Sequence, residues 1–180
     1  MKPMLVVLTA AAIVVAMLSA SSSLFAAPAS SRAVAKKQSG FPLVPPAAPA
    51  GQMVFYGHIK KLTHKGSRFE LRFDPAWFTS GVTASRAALA DTGSSDVPND
   101  NYIVEGGHRL LTYLVPTTAH VTVITGGYEQ PIAWTPITVS ELARIVNGGK
   151  HRKLFEGLDS GVWIRVHIDT VTELDQQYHP

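Results

Sequence analysis

The chain has 180 residues, 46% of them hydrophobic and 16% charged, a composition typical of one globular domain of ordinary size. It contains no cysteine, which excludes a disulfide scaffold, a thiolate metal site and a cysteine nucleophile. The formal net charge is +3 and the calculated pI is about 9.3, values that raise the question of a nucleic-acid partner.

The basic excess lies in the first part of the chain. Four of the 16 Lys and Arg residues precede Met53, which leaves 12 against all 13 Asp and Glu residues, a net charge of −1 from Met53 onward. A nucleic-acid-binding domain concentrates Lys and Arg within its fold. We therefore expect no nucleic-acid partner.

The first 29 residues are predicted to be a secretory signal peptide. Lys2 precedes seventeen uncharged residues, Met4 to Ala20, and small residues such as Ala26 and Ala27 follow. An uncleaved membrane anchor is the alternative, since about 20 apolar residues span a bilayer. We expect a secreted or extracytoplasmic protein, tethered to a membrane only through this segment if at all.

Residues 30–52 are predicted to be a linker rich in proline and alanine. The run from Phe41 to Gly51 holds four prolines, too many for a helix or a central strand. Such a segment favours an extended spacer, and the alternative is an unstructured connection. A single β-rich domain, residues 53–180, follows it.

The domain opens with a predicted β-hairpin, Met53 to Phe73. Its second arm alternates apolar Phe69, Leu71 and Phe73 with charged residues, and Gly66 supplies the turn. After it, Asp74 and Pro75 predict the cap and first turn of a short helix that covers the hairpin with Trp77 and Phe78.

Two further strands, 109–115 and 119–125, are predicted to form a second hairpin. A helix is predicted from Val139 to Asn147, because Thr138 and Glu141 fit a capping box and glycines follow. The last predicted strand runs from Gly161 to Val171. Its apolar side chains are predicted to point inward (Val162, Ile164, Val166, Ile168) and the alternating side chains outward (Trp163, Arg165, His167, Asp169).

These elements predict a mainly β domain with one α-helix. Five strands of this length can close a small barrel or form a sandwich, which removes exposed edges. The domain is OB-like in size, but the predicted helix lies between strands four and five instead of between three and four.

The motif Asp91-Thr92-Gly93-Ser94-Ser95 resembles the active-site loop of pepsin-like aspartic proteases, and Asp159-Ser160-Gly161 is a second, similar triplet. That chemistry needs two carboxylates that share one proton. A spacing of 68 residues from one aspartate to the other is too short for two lobes, and the sequence before Asp91 looks helical. A dimeric aspartic-peptidase-like enzyme that uses Asp91 is therefore kept as an alternative function, with Asp159 as the second candidate.

The outward side of the last strand supplies the remaining candidates. Trp163, Arg165 and His167 predict a binding surface, with an aromatic ring flanked by cations. His167 and Asp169, joined by His58 from the first strand, are candidate zinc or copper ligands. A solvated strand face explains the same pattern, so no metal and no cofactor is assigned.

Three stretches resemble small exported proteins of actinobacteria and similar high-GC bacteria that have no assigned activity: 99–115, 137–148 and 158–178. This resemblance implies export and supplies no catalytic motif. The sequence thus favours a non-catalytic binding module of the cell envelope with an unknown envelope ligand. A metal-binding envelope protein is the other alternative.

Overall fold

The computed structural model describes residues 47–107, 109–127 and 129–179. The predicted signal peptide and most of the predicted linker lie outside them. The described residues form two α-helices, α1 (Gly81–Thr92) and α2 (Val139–Val146), and eight β-strands: β1 (Met53–Lys65), β2 (Arg68–Ser80), β3 (Asn101–Val104), β4 (Leu111–Pro116), β5 (His120–Gly127), β6 (Gln130–Ile137), β7 (Val162–His167) and β8 (Thr170–Gln176).

Five of the strands close a barrel. Antiparallel pairing joins β1 to β2, β2 to β4, β7 to β8 and β1 to β7. Parallel pairing of Leu114 with Thr170 closes the circle between β4 and β8, and the Leu114 N–H donates to the Asp169 carbonyl at 2.9 Å. The prediction of a small, five-stranded, mainly β barrel is confirmed.

The order of the barrel strands is that of an OB-fold. Numbered along the chain, they pair 1-2-3-5-4-1, with the parallel pair between the third and the fifth. The predicted fourth strand is β5, which lies outside this circle and pairs with β8 and β6. Helix α2 follows β5 in the sequence, as expected. When only the five barrel strands are numbered, α2 lies between the third, β4, and the fourth, β7, as in an OB-fold.

The interior is filled by the inward residues of the barrel strands and by one face of α2. Thr138 caps this helix as predicted, since its Oγ1 accepts from the Glu141 N–H at 3.1 Å. Gly148, with φ 71°, follows the helix end. The core includes Leu62, Phe69, Leu71, Phe73, Val115, Val121, Val139, Leu142, Val162, Ile164, Val166, Val171 and Leu174.

The predicted helix after Asp74 is wrong, because β2 continues to Ser80. Pro75 is tolerated in the strand since β4 pairs only as far as Phe73 and β3 begins to pair at Trp77. The missing N–H of Pro75 therefore costs no hydrogen bond on the side of β2 that pairs with β4 and β3. Trp77 does not cover the hairpin, since 65% of its surface is exposed.

The fold contains a second helix, and the last strand is shorter than predicted. Helix α1 buries only small residues, Ala84 and Ala88, so its sequence shows little apolar periodicity. Strand β7 ends at His167, and Ile168 adopts φ 60° in a turn where 79% of its surface is exposed. The chain then reverses into β8, so the inward position predicted for Ile168 is wrong.

Among the described strands, β6 pairs only with β5 and forms one edge of the sheet. It contains two prolines, Pro131 and Pro136. At the other end of the strand order lies β3, which has only four residues.

Candidate functional site

The outward side of the first hairpin collects most of its cations. A bulge at Lys60 shifts the register of β1 against β2, after which Lys61 lies opposite Arg72 and Lys65 opposite Arg68. Between these two rows, Thr63 lies opposite Glu70. Cross-strand partners point to the same side of a sheet, so these six residues form one surface, which we call the basic face.

Charge on the basic face is strongly one-sided. Four cations accompany one carboxylate, a formal charge of +3 against −1 for the chain from Met53 onward. Lys65 Nζ bonds Glu70 Oε2. This hydrogen bond, together with the charges of Lys65, Arg72 and Lys61, lowers the pKa of Glu70. The lowered pKa of Glu70 is thus consistent with a local excess of positive charge.

Strand β4 extends the basic face sideways. Thr112 pairs with Arg72 and accepts a hydrogen bond of 2.8 Å from Arg72 Nη1, and Leu114 pairs with Glu70. The turn that carries Asp169 borders β4 on its other side, through the bond to the Leu114 N–H. In OB-folds, the second and third strands and the two hairpin loops beside them form the ligand-binding face. The basic face overlaps that position through β2 and the β1–β2 turn, and β4 borders it as the third barrel strand.

A cleft of about 650 Å³ lies elsewhere, between β1, the end of α2 and the loop 151–159. Its charged lining is mixed, with Lys60 and Lys153 beside Glu156 and Asp159. Burial raises the pKa of Glu156, and the neighbouring Asp159 adds to this. Opposite charges within one cleft favour no single ligand charge.

The predicted binding residues lie on β7, and each has a different environment. Trp163 is half-buried: its Nε1 donates to Gln177 Oε1 at 2.5 Å and its ring lies 5.1 Å from that of Tyr56. Arg165 Nη1 bonds Glu173 Oε2, and His167 is exposed at the strand end. The ring of Trp163 thus packs against the barrel wall instead of standing free beside cations.

The three candidate metal ligands do not converge. His58 lies next to Gly57, which pairs with Val162 of β7. His167 lies five residues after Val162 on β7, about 17 Å from it at the rise of a strand. His58 Nε2 lies 2.7 Å from Glu105 Oε1 instead. Asp169 is in the β7–β8 turn.

The structure does group a different set of possible ligands. One nitrogen of His120 and one carboxylate oxygen each of Glu173 and Asp175 lie within 4.8 Å of one another. We call these three residues the β5–β8 cluster. Sequence reasoning missed it because β8 was not predicted, although the Glu-x-Asp spacing that places both carboxylates on one strand face is visible in the sequence.

Asp91 and Asp159 are in unlike surroundings. Asp91 lies in the last turn of α1, where its Oδ2 accepts from the Tyr102 hydroxyl at 2.6 Å. Gly93, with φ 79°, ends this helix, so the protease-like motif is a helix end. Asp159 lies in a short 3-10 turn that lines the cleft. No hydrogen bond joins the two carboxylates in the described ranges.

Comparison with known protein families, with curated proteins and with solved structures finds no match for this chain. Within the described residues, neither helix has the length and apolar character needed to cross a membrane.

Proposed function

We propose that this chain is an exported, non-catalytic binding protein whose basic face binds an anionic polymer of the cell envelope. One observation carries the proposal: four cations occupy one outward barrel surface with a single carboxylate, in a domain of net charge −1. Charge concentrated in this way attracts polyanions more strongly than the same charge spread over the surface.

The shape of the basic face favours a polymer over a small anion. Outward residues on one strand are separated by two residues, about 6.8 Å. The rows led by Lys61 and Lys65 therefore lie about 14 Å apart. A chain with regularly spaced phosphate or carboxylate groups reaches both rows, whereas a single small anion reaches only one.

The side chains of the basic face favour charge recognition over base stacking. Its positions on β1 and β2, and the paired positions Thr112, Leu114 and Pro116 on β4, hold no aromatic ring. Proteins that bind single-stranded nucleic acids stack bases on such rings. A wall or surface polymer with anionic groups fits better, and the apolar run from Met4 to Ala20 supports export to where such polymers occur.

Titration with long-chain inorganic polyphosphate, followed by calorimetry, tests the proposal. Lys61→Gln combined with Arg68→Gln should weaken binding about 3- to 10-fold, since each exposed ion contact contributes a few tenths of a kcal/mol to about 1 kcal/mol. Lys150→Gln combined with Lys153→Gln removes the same charge from the loop after α2 and should change binding less than about twofold. Added salt should weaken wild-type binding.

Two results would overturn the proposal. One is a wild-type protein that does not bind polyphosphate at low salt. The other is an equal loss of affinity in both double variants, which would show that total charge, and not the basic face, determines binding.

A further inference from the structure

The β5–β8 cluster lies on two strands that pair directly. In the parallel ladder, His120 lies beside Glu173 and Thr122 beside Asp175. Strand β8 has a partner on each side along this stretch, since Glu173 also pairs with Arg165 of β7. Ligands on paired strands are held more precisely than ligands on loops.

We propose that His120, Glu173 and Asp175 form a binding site for a divalent transition-metal ion, with Zn²⁺ as the best fit. One imidazole and two carboxylates supply three protein ligands, and zinc sites with three protein ligands keep a fourth position for water. Imidazole suits zinc and its neighbours in the first row, while calcium and magnesium prefer oxygen ligands throughout.

The separation of the ligand atoms is compatible with this ion. Tetrahedral zinc with bonds of about 2.0–2.1 Å places its ligand atoms about 3.3 Å apart. The three atoms here lie within 4.8 Å of one another, and His120 is exposed, so rotation of its side chain can close the difference. Exposure of His120 also gives the ion a path from solvent.

Neighbouring side chains orient both carboxylates. Thr122 Oγ1 donates to Asp175 Oδ1, and Arg165 Nη1 donates to Glu173 Oε2. Each carboxylate keeps a second oxygen for the metal, and such outer contacts orient ligands in known metal sites. With Arg165 included, the formal charge before metal binding is −1, which favours a divalent cation.

Competition between the purified full chain and a chromophoric zinc chelator tests the site. Wild type should bind one Zn²⁺ per chain, and His120→Ala should weaken binding at least about 10-fold, as should Asp175→Asn. His167→Ala, which removes an exposed histidine of β7, is the matched control and should change affinity less than about twofold. Wild-type protein without zinc affinity, or an equal loss in His167→Ala and His120→Ala, would overturn the proposal.

A second measurement needs no variant and so does not depend on variants that fold. Paramagnetic Co²⁺ is added to the wild-type protein, and the NMR signals of the histidine rings are followed. The ring signals of His120 should broaden or shift first. If those of His58 or His151 respond first, the ion binds elsewhere and the proposal is wrong.

Discussion

On the side of the barrel formed by β1 and β2, Glu70 lies among cations that lower its pKa. On the side formed by β8, burial raises the pKa of Asp175 and the adjacent Glu173 adds to this effect. Both carboxylates follow the same alternation of buried and outward residues. The difference comes from burial at Asp175 and from the charges of the neighbouring side chains at both positions, so a near-neutral domain can carry two surfaces of opposite character.

The largest loss of stability is expected at Gly57, where β1 pairs with both β2 and β7. A Cβ at this position would lie 2.1 Å from the Asp74 carbonyl oxygen and 2.9 Å from Pro75 Cα. Gly57→Ala should cost about 3 kcal/mol or more, because the clash is with backbone and overpacking at such a site cannot relax. Urea unfolding measures the loss.

Gly66→Ala is the control for Gly57→Ala. Gly66 has φ 62° in the hairpin turn, and a Cβ there would meet nothing within 4 Å. The loss of unfolding free energy in Gly66→Ala should therefore come only from the strained backbone conformation and amount to about 1 kcal/mol. Equal losses in the two variants would show that the close approach of Gly57 to β2 adds nothing to the cost of the substitution.

The next largest effect is expected at Tyr56, on the side of the barrel near the cleft. Its hydroxyl donates to the Ser160 carbonyl at 2.7 Å, and burial, with the charges of Glu105 and Glu156, raises its pKa. Tyr56→Phe should lower the free energy of unfolding by about 1 kcal/mol, since a partly buried carbonyl loses its donor. Tyr102→Phe, which removes an exposed bond to Asp91, should cost less. A larger loss in Tyr102→Phe would contradict this ranking.

Glu156, which lines the cleft, should make the stability of the protein depend on pH. Its folded-state pKa is raised above the ordinary 4.5, so the protonated form contributes stability that is full below that value and is lost as pH rises through the raised pKa. Glu156→Gln should therefore raise the melting temperature near neutral pH and change it little below the ordinary pKa. Thermal unfolding across this pH range measures the difference. A variant less stable than wild type at neutral pH would contradict the expectation.

The smallest effect is expected at Glu70, with the opposite sign. Its pKa is lowered, so the charged form contributes stability that is present above the ordinary 4.5 and is lost as pH falls through the folded-state pKa. Glu70→Gln should slightly lower stability near neutral pH, because exposed ion pairs contribute little. It should also strengthen polyphosphate binding, since the basic face gains one net positive charge. Weaker binding by this variant would count against the basic face as the site.

The sequence was informative wherever local signals were strong. The alternation of Phe69, Leu71 and Phe73 predicted the first hairpin, and the pair of Thr138 with Glu141 predicted α2. The missed elements lack such signals. Strand β6 contains prolines that read as a loop, and β8 is separated from β7 by a turn without glycine, at Ile168.

The candidate sites depended on register, which the sequence does not determine. The cations of β1 form rows with those of β2 only after the bulge at Lys60. A net charge counted along the chain therefore could not show that these cations share one surface. The β5–β8 cluster required the parallel pairing of His120 with Glu173, two residues far apart in sequence. Long-range pairing of this kind has no local signature.

The edge strand β6 has a consequence for crowding. A protein bound to a polymer meets its own copies at high local concentration, and an open sheet edge then invites a second copy to add a strand. Pro131 and Pro136 of β6 have no N–H groups to offer such a strand. Edge-to-edge growth of the sheet is therefore opposed near both ends of β6, which would keep copies of the protein separate on a polymer of the kind proposed.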